Sequence, residues 1–298
     1  HLSGRALGWK EDDIIITSPN TFIASANAII YCNAIPEFVD IDKETYTLDC
    51  NKLEDKAKLL RKKNINLKAV IAVDYAGHPC DWESLRYLAN KYHFQLVNDN
   101  CHAMGAKYKN SRNYAIKYAD LVTQSYHPVK HITTGEGGAI FSNDKKIDNF
   151  LKSLRSHGVT RSKDLEKKYG QWFYQMENLG YNYRITDFQS ALGISQLNRL
   201  EDFVEKRNKI ARIYNSFFKK YKFMKIPSVS KEVYHAYHIY PLQVNFSKTR
   251  LKKSVLFNRL KKRNIILQVH YIPIHLQPYY KKNFIIDKKT LNNSLEFY

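Results

Sequence analysis

Apolar and polar positions change period repeatedly through the first half of the chain. Ile14–Thr17, Ile35–Val39, Leu67–Val73 and Phe94–Asn98 are short apolar runs bounded by polar or turn-forming residues, which is the pattern of buried strands. Between them, Thr21–Tyr31 and Asn51–Leu60 carry apolar residues at helical spacing, and Asp81 is placed to cap a helix running to about Tyr92. A further strand is predicted over Asp120–Gln124. A short strand, Ala139–Ser142, follows beyond a glycine-rich turn, and Asp144–Ser156 is helical again. The strands are apolar throughout, without alternation, and they are interleaved with helices. That combination predicts an α/β fold with a mostly parallel sheet covered on both faces.

From Thr186 the helical period is expected to hold as far as about Tyr221, with Phe188, Ala191, Leu192, Leu200 and Val204 on one stripe. This long helix would lead into a smaller C-terminal α/β domain. Its predicted contents are a strand at Tyr240–Asn245, a basic helix around Ser254–Lys262 and a strand at Ile265–Val269. The expected division is a large domain over 1–199 and a small one over 200–298.

Composition changes this picture little. With 298 residues, 44% of them hydrophobic, the chain can bury a substantial core, and no apolar run approaches the length of a membrane span. Cys32, Cys50, Cys80 and Cys101 show no paired spacing and are expected to be reduced thiols of a cytoplasmic protein, with no metal site. The net charge of +20 raises the question of nucleic acid. The lysines are scattered, however, in pairs such as Lys219-Lys220 and Lys252-Lys253, and no nucleic-acid-binding motif accompanies them. A solvated basic surface that mildly steers a diphosphate is the expectation, with no nucleic-acid partner.

The densest chemistry lies in Ser125-Tyr126-His127-Pro128-Val129-Lys130-His131-Ile132-Thr133-Thr134-Gly135-Glu136-Gly137-Gly138. A lysine on a turn flanked by glycines, partly withdrawn from water, can hold its amine neutral, as Schiff-base chemistry requires. On spacing alone, such a lysine is more often a solvated turn residue. Upstream, Asp99 follows an apolar strand. A carboxylate there points into the crevice where open α/β sheets bind ligands, and it could hold a pyridine nitrogen protonated. A strand-end aspartate more often caps a turn. Asp99 and Lys130 on successive strand ends, with His102 and Ser125 near them in sequence, favour a site. The glycine-rich turn runs into a strand and not a helix, so it is no P-loop.

These segments resemble the DegT/DnrJ/EryC1/StrS family of nucleotide-sugar aminotransferases. The likeness is carried by Asp99-x-x-His102-Ala103-x-Gly105 and by the Ser125–Gly138 segment. Pro19–Asn27, Leu154-Arg155-Ser156-His157-Gly158, Gly180-Tyr181-Asn182-Tyr183-Arg184, Tyr237–Tyr240 and Gln268–Tyr280 match further motifs in the family's order. The resemblance implies the fold type I, aspartate-aminotransferase-like architecture and a pyridoxal 5'-phosphate (PLP) cofactor that cycles through pyridoxamine phosphate. Lys130 would be the Schiff-base lysine and proton shuttle, and Asp99 the partner of the pyridinium. Phe22 would stack on the ring, with His102 beside it. Ser125 would hold the cofactor phosphate, with Asn182 reaching the phosphate bound to the neighbouring subunit of a homodimer. His157, Arg184, His238, His270 and Tyr271 would contact substrate.

Within the family, the motif variants are most similar to those of pseudaminic-acid-pathway members. That implies glutamate as amino donor and a UDP-linked 4-keto-6-deoxy amino sugar as acceptor. The resemblance also implies a fragment lacking both ends. Asn100 departs from the small Ala usual after the aspartate. The alternatives are another nucleotide-keto-sugar, a dehydratase of the same family (in which histidine replaces the lysine) and a non-catalytic protein of this fold.

Overall fold

The computed structural model describes residues 1–298. A six-stranded sheet runs through the large part of the molecule in the spatial order Ile35–Phe38, Ile14–Thr17, Leu67–Val73, Gln95–Asp99, Leu121–Ser125, Gly138–Phe141. The first five strands are mutually parallel and the last is antiparallel to its neighbour, with Ser125 opposite Gly138. Both faces of the sheet are covered. Ile14, Ile16, Val70, Ala72, Leu96 and Val122 pack on one side against Leu53, Trp82, Leu85 and Tyr114. Ile15, Ala69, Ile71, Val97 and Leu121 pack on the other against Leu7, Ile29 and Leu151. Burial on both faces is why these strands are continuous apolar runs.

Short polar side chains start the helices where the sequence places them. Asp49 accepts from the backbone N–H groups of Asn51 and Lys52 to start Cys50–Lys62. Asp81 and Asp144 do the same for Trp82–Tyr92 and Lys145–Leu154. Phe22, with extended backbone, precedes the helix Ile23–Tyr31.

The C-terminal part departs from expectation. The long helix is two: Asp187–Leu197, opened by a Thr186–Gln189 capping box, and Leu200–Phe218. At the junction the Arg199 N–H bonds to the Gln196 carbonyl, three residues back, which tightens the turn and ends the first helix. The two pieces serve different surroundings. Val204 and Ala211 are buried, and Val204 fits closely over Gly105, whereas Asp187–Leu197 buries no residue and Phe188 is 91% exposed. The strand expected at Tyr240–Asn245 is reduced to Gln243–Val244, paired with Met224–Lys225. Ile265–Val269 is not a strand at all, because nothing pairs with it and Ile266 stands in solvent. The basic helix is present as Lys253–Lys261.

The last segment packs back onto the first. Ile274, Tyr280 and Leu291 share a core with Ala26 and Phe38. Ile239, Tyr271 and Phe297 lie against Ile41, Tyr46, Tyr75 and Ala76. Gly77 makes part of this possible. Its φ of +103° lies in the left-handed region, and a Cβ there would meet the Tyr237 nitrogen at 2.7 Å. The segment Ala236–Ile239 therefore runs directly against the loop, with the Ala236 N–H bonded to the Gly77 carbonyl at 2.9 Å.

Candidate active site

The C-terminal ends of adjacent parallel strands bring together residues that the sequence spreads over 250 positions. Asp99 closes the strand Gln95–Asp99, and Ser125 closes its neighbour. One Asp99 oxygen accepts from Ser25 Oγ at 2.6 Å and the other from the Cys101 N–H at 3.2 Å. Because Ser25 donates to Asp99, its oxygen is left to accept from Thr21 Oγ, 2.9 Å away. A directed chain, Thr21 to Ser25 to Asp99, thus aims the carboxylate. Sequence reading missed Ser25 and Thr21; the available signal was two hydroxyls four residues apart at the apolar start of a helix.

Lys130 ends the turn that follows Ser125, its N–H bonded to the His127 carbonyl at 2.9 Å. Burial holds its amine below the ordinary lysine value, opposed only by the attraction of Cys101 and Asp99. Ser125 Oγ accepts from the His127 N–H at 3.4 Å. The neighbouring His131 is turned away, its Nε2 against the Ala236 carbonyl at 3.0 Å, and burial lowers its pKa to about 4.

An aromatic wall closes one side. His102 Nδ1 accepts from the Ala76 N–H at 3.3 Å, so the ring proton sits on Nε2 and is directed at the Tyr271 hydroxyl, 3.2 Å away. Tyr271 is thereby left with its own O–H proton to donate elsewhere. His238 lies on His102 at 4.3 Å between ring centroids, and Phe22 approaches Tyr271 at 6.0 Å. Burial keeps His102 and His238 neutral by pushing both far below the ordinary histidine range, and it also lowers His270. The Tyr75 hydroxyl donates to the His270 carbonyl. Phe22 is 54% exposed, an aromatic face held open at the rim.

Three of the expected residues are not gathered here. His157, Asn182 and Arg184 lie on exposed loops, joined by a bridge between Ser156 and Asn182 and by the bond from the His157 N–H to the Tyr181 carbonyl at 2.9 Å. Their side chains make no hydrogen bond to the Lys130 group. Asn100 also points elsewhere, into the protein toward Asp74 and Tyr114. A separate groove of about 540 Å³, lined by Tyr46, Lys225 and Phe297 among others, includes none of these residues.

The donor set fits PLP. It provides a desolvated primary amine, a fixed carboxylate on the adjacent strand end, a hydroxyl beside them and an open aromatic face at the crevice of a parallel α/β sheet. Together they define a pyridoxal-phosphate-dependent aminotransferase of fold type I.

Comparison with known proteins agrees. The DegT/DnrJ/EryC1/StrS aminotransferase family matches residues 1–298, and the chain belongs to that family. An uncharacterised protein of Methanocaldococcus jannaschii is 39% identical over 99% of the chain and 74% of its own length. The UDP-4-amino-4,6-dideoxy-N-acetyl-beta-L-altrosamine transaminase of Campylobacter jejuni is 38% identical over the whole chain and 75% of its own length. Among solved structures, the Helicobacter pylori aminotransferase PseC, involved in the biosynthesis of pseudaminic acid, superimposes with a TM-score of 0.86. That match is at 30% identity and covers 100% of this chain and 76% of the other. No helix is long and apolar enough to cross a membrane.

Proposed function

We propose that this aminotransferase moves an amino group from L-glutamate to the C4 ketone of a UDP-linked 4-keto-6-deoxy-hexosamine, in nucleotide-sugar biosynthesis of the pseudaminic acid type. The observation that carries the chemistry is a desolvated Lys130, in the turn beyond the strand Leu121–Ser125, near a hydroxyl-anchored Asp99 at the end of the neighbouring strand. The sugar rests on the likeness to the Campylobacter transaminase.

When bound, PLP supplies the electron sink that makes the donor's Cα–H acidic. Lys130 would be the residue that anchors the cofactor, and its amine, held below the ordinary lysine value, would be the base that takes the proton from the donor's Cα. Asp99 would hold the pyridine nitrogen protonated by charge, and Ser25 keeps the carboxylate from turning away. Phe22 would cover the ring, Ser125 would donate to the phosphate, and the wall of His102, Tyr271, His238 and His270 would exclude water and face the sugar. Residues 1–199 form the cofactor-binding part and residues 200–298 the smaller one.

The active unit is a cytoplasmic homodimer in which Asn182 reaches the phosphate held by the partner subunit, with His157 and Arg184 at the substrate entrance. An exposed apolar set supports this assembly: Trp172, Met176, Leu179, Phe188 and Ile194 are all solvent-facing, more than an isolated subunit ordinarily leaves uncovered.

The test is a transamination assay with glutamate against UDP- and GDP-linked 4-keto-6-deoxy sugars. The UDP-linked L-hexosamine is expected to react fastest; preference for a GDP sugar overturns the substrate. Wild-type turnover by Lys130→Ala would overturn the catalytic assignment. Mixing Lys130→Ala with Asn182→Ala chains should restore activity through one intact site. No recovery after confirmed subunit exchange refutes the shared site.

A further inference from the structure

A second carboxylate lies one strand over from Asp99. Asp74 follows the strand Leu67–Val73, is fully buried, and its N–H bonds to the Asp99 carbonyl at 3.1 Å. One of its oxygens accepts from the Cys80 N–H at 2.8 Å and from Trp82 Nε1 at 3.0 Å. The other accepts from the Tyr114 hydroxyl at 2.8 Å and from Asn100 Nδ2 at 2.9 Å. Three of these four groups are N–H donors that cannot accept, so the ionised carboxylate satisfies all of them at once. Burial alone pushes its carboxyl up to about 6, against the pull of those donors.

An acceptor-only anchor dictates the orientation of everything bonded to it. Asn100 must turn its NH2 toward Asp74, which leaves its oxygen to accept from Gln124 Nε2 at 3.2 Å. Gln124 must then present its own oxygen, which accepts from the Tyr126 hydroxyl at 3.3 Å. The relay ends at the Tyr126 side chain, and the backbone carbonyl of the same residue separately accepts from the Thr134 N–H at 3.0 Å and from Thr133 Oγ at 3.0 Å, which closes the loop carrying Lys130. Asn100 sits beside Asp99 in sequence, so one polarised chain spans three strand ends and joins the aspartate's loop to the lysine's.

We infer that Asp74, acting through Asn100 and Gln124, is a positioning residue that fixes the Asp99 carboxylate and the Lys130 amine relative to one another. This rests on the roles given above to Asp99 and Lys130. Asn100 therefore replaces the smaller residue usual at this position as a working link, not as a neighbour of the ring.

The experiment uses the PLP-loaded protein and follows the bound cofactor's visible absorbance as pH is varied, with cofactor affinity and melting temperature measured alongside. Asn100→Ala, Gln124→Met and Asp74→Asn should each move the absorbance midpoint by about half a pH unit or more, and should weaken cofactor binding roughly tenfold, about 1.4 kcal/mol. Trp82→Phe removes a donor from the far oxygen of Asp74 without touching the chain, so it serves as the control. It should lower the melting temperature but keep the wild-type midpoint. If Asp74→Asn fails to fold, Asn100→Ala and Gln124→Met carry the same test. Wild-type midpoints in those two variants overturn the proposal, as does an equal shift in Trp82→Phe, which would mean general loosening. Failure of the catalytic assignment itself is seen separately, as turnover by Lys130→Ala.

Discussion

The directed bond between His102 and Tyr271 can be tested without cofactor or substrate. Tyr271→Phe removes the oxygen that receives the His102 Nε2–H and leaves that donor buried beside His238 and Tyr75. At 3.2 Å between neutral groups, the bond itself contributes about 0.5–1.5 kcal/mol, but the orphaned donor costs about 1–3 kcal/mol. For a domain of this size, each kcal/mol corresponds to roughly 2–4 °C in melting temperature, so Tyr271→Phe should melt about 2–12 °C lower. His102→Leu creates its own loss by freeing the Ala76 N–H. Urea unfolding of the cofactor-free wild type, both single variants and the double variant completes a cycle. The double variant should be less destabilised than the sum of the two by about 0.5–1.5 kcal/mol. Additivity within about 0.3 kcal/mol would refute the reasoning, because it would mean that the two side chains do not exchange a hydrogen bond.

Ser25→Ala removes the 2.6 Å bond to Asp99, a charge-assisted contact of about 1.5–3 kcal/mol, and turnover should fall roughly 10- to 100-fold with the fold intact by circular dichroism. A rate within twofold of wild type would show that the carboxylate needs no such anchor. Lys130 is held below its unfolded value of 10.5 by burial, so the native state loses a proton that the unfolded state keeps, and stability from this group rises with pH toward 10.5. Cofactor-free Lys130→Met should accordingly melt above wild type at pH 7, with the gap narrowing as pH approaches 10; a gap that widens with pH contradicts the sign. Gly77→Ala places a Cβ against backbone at a left-handed φ and should destabilise the protein by about 1–3 kcal/mol, measured by urea unfolding.

The sheet was legible because its strands are buried on both faces, which makes Leu67–Val73 and Phe94–Asn98 stand out as apolar runs. The position of Asp99 at a strand end and of Lys130 in the turn beyond the next strand was legible for a related reason, while their chemical roles were suggested by the family resemblance. What sequence could not reveal was partnership. The apolar stripe from Phe188 to Val204 has one period but two environments, and no local signal marks Asn198 and Arg199 as a joint. Ile265–Val269 has strand composition without a neighbour to bond, and it stays irregular. Asp74 reads as an ordinary strand-end cap until Asn100, Tyr114 and Trp82 arrive from separate stretches of chain.

The close run of Ala236–Ile239 over Gly77, and the meeting of Tyr271 with His102 across 169 positions, impose an order on biosynthesis. A ribosome releases the whole main sheet, ending at Phe141, long before it makes Tyr271. Through that interval, the sides of Tyr75, Ala76 and His102 that Ile239 and Tyr271 will cover face solvent or a chaperone. Closure of the wall waits on distant loop formation, the slow kind of contact, so the nascent chain holds a finished scaffold and an unfinished pocket while the 130 residues from Phe141 to Tyr271 are added.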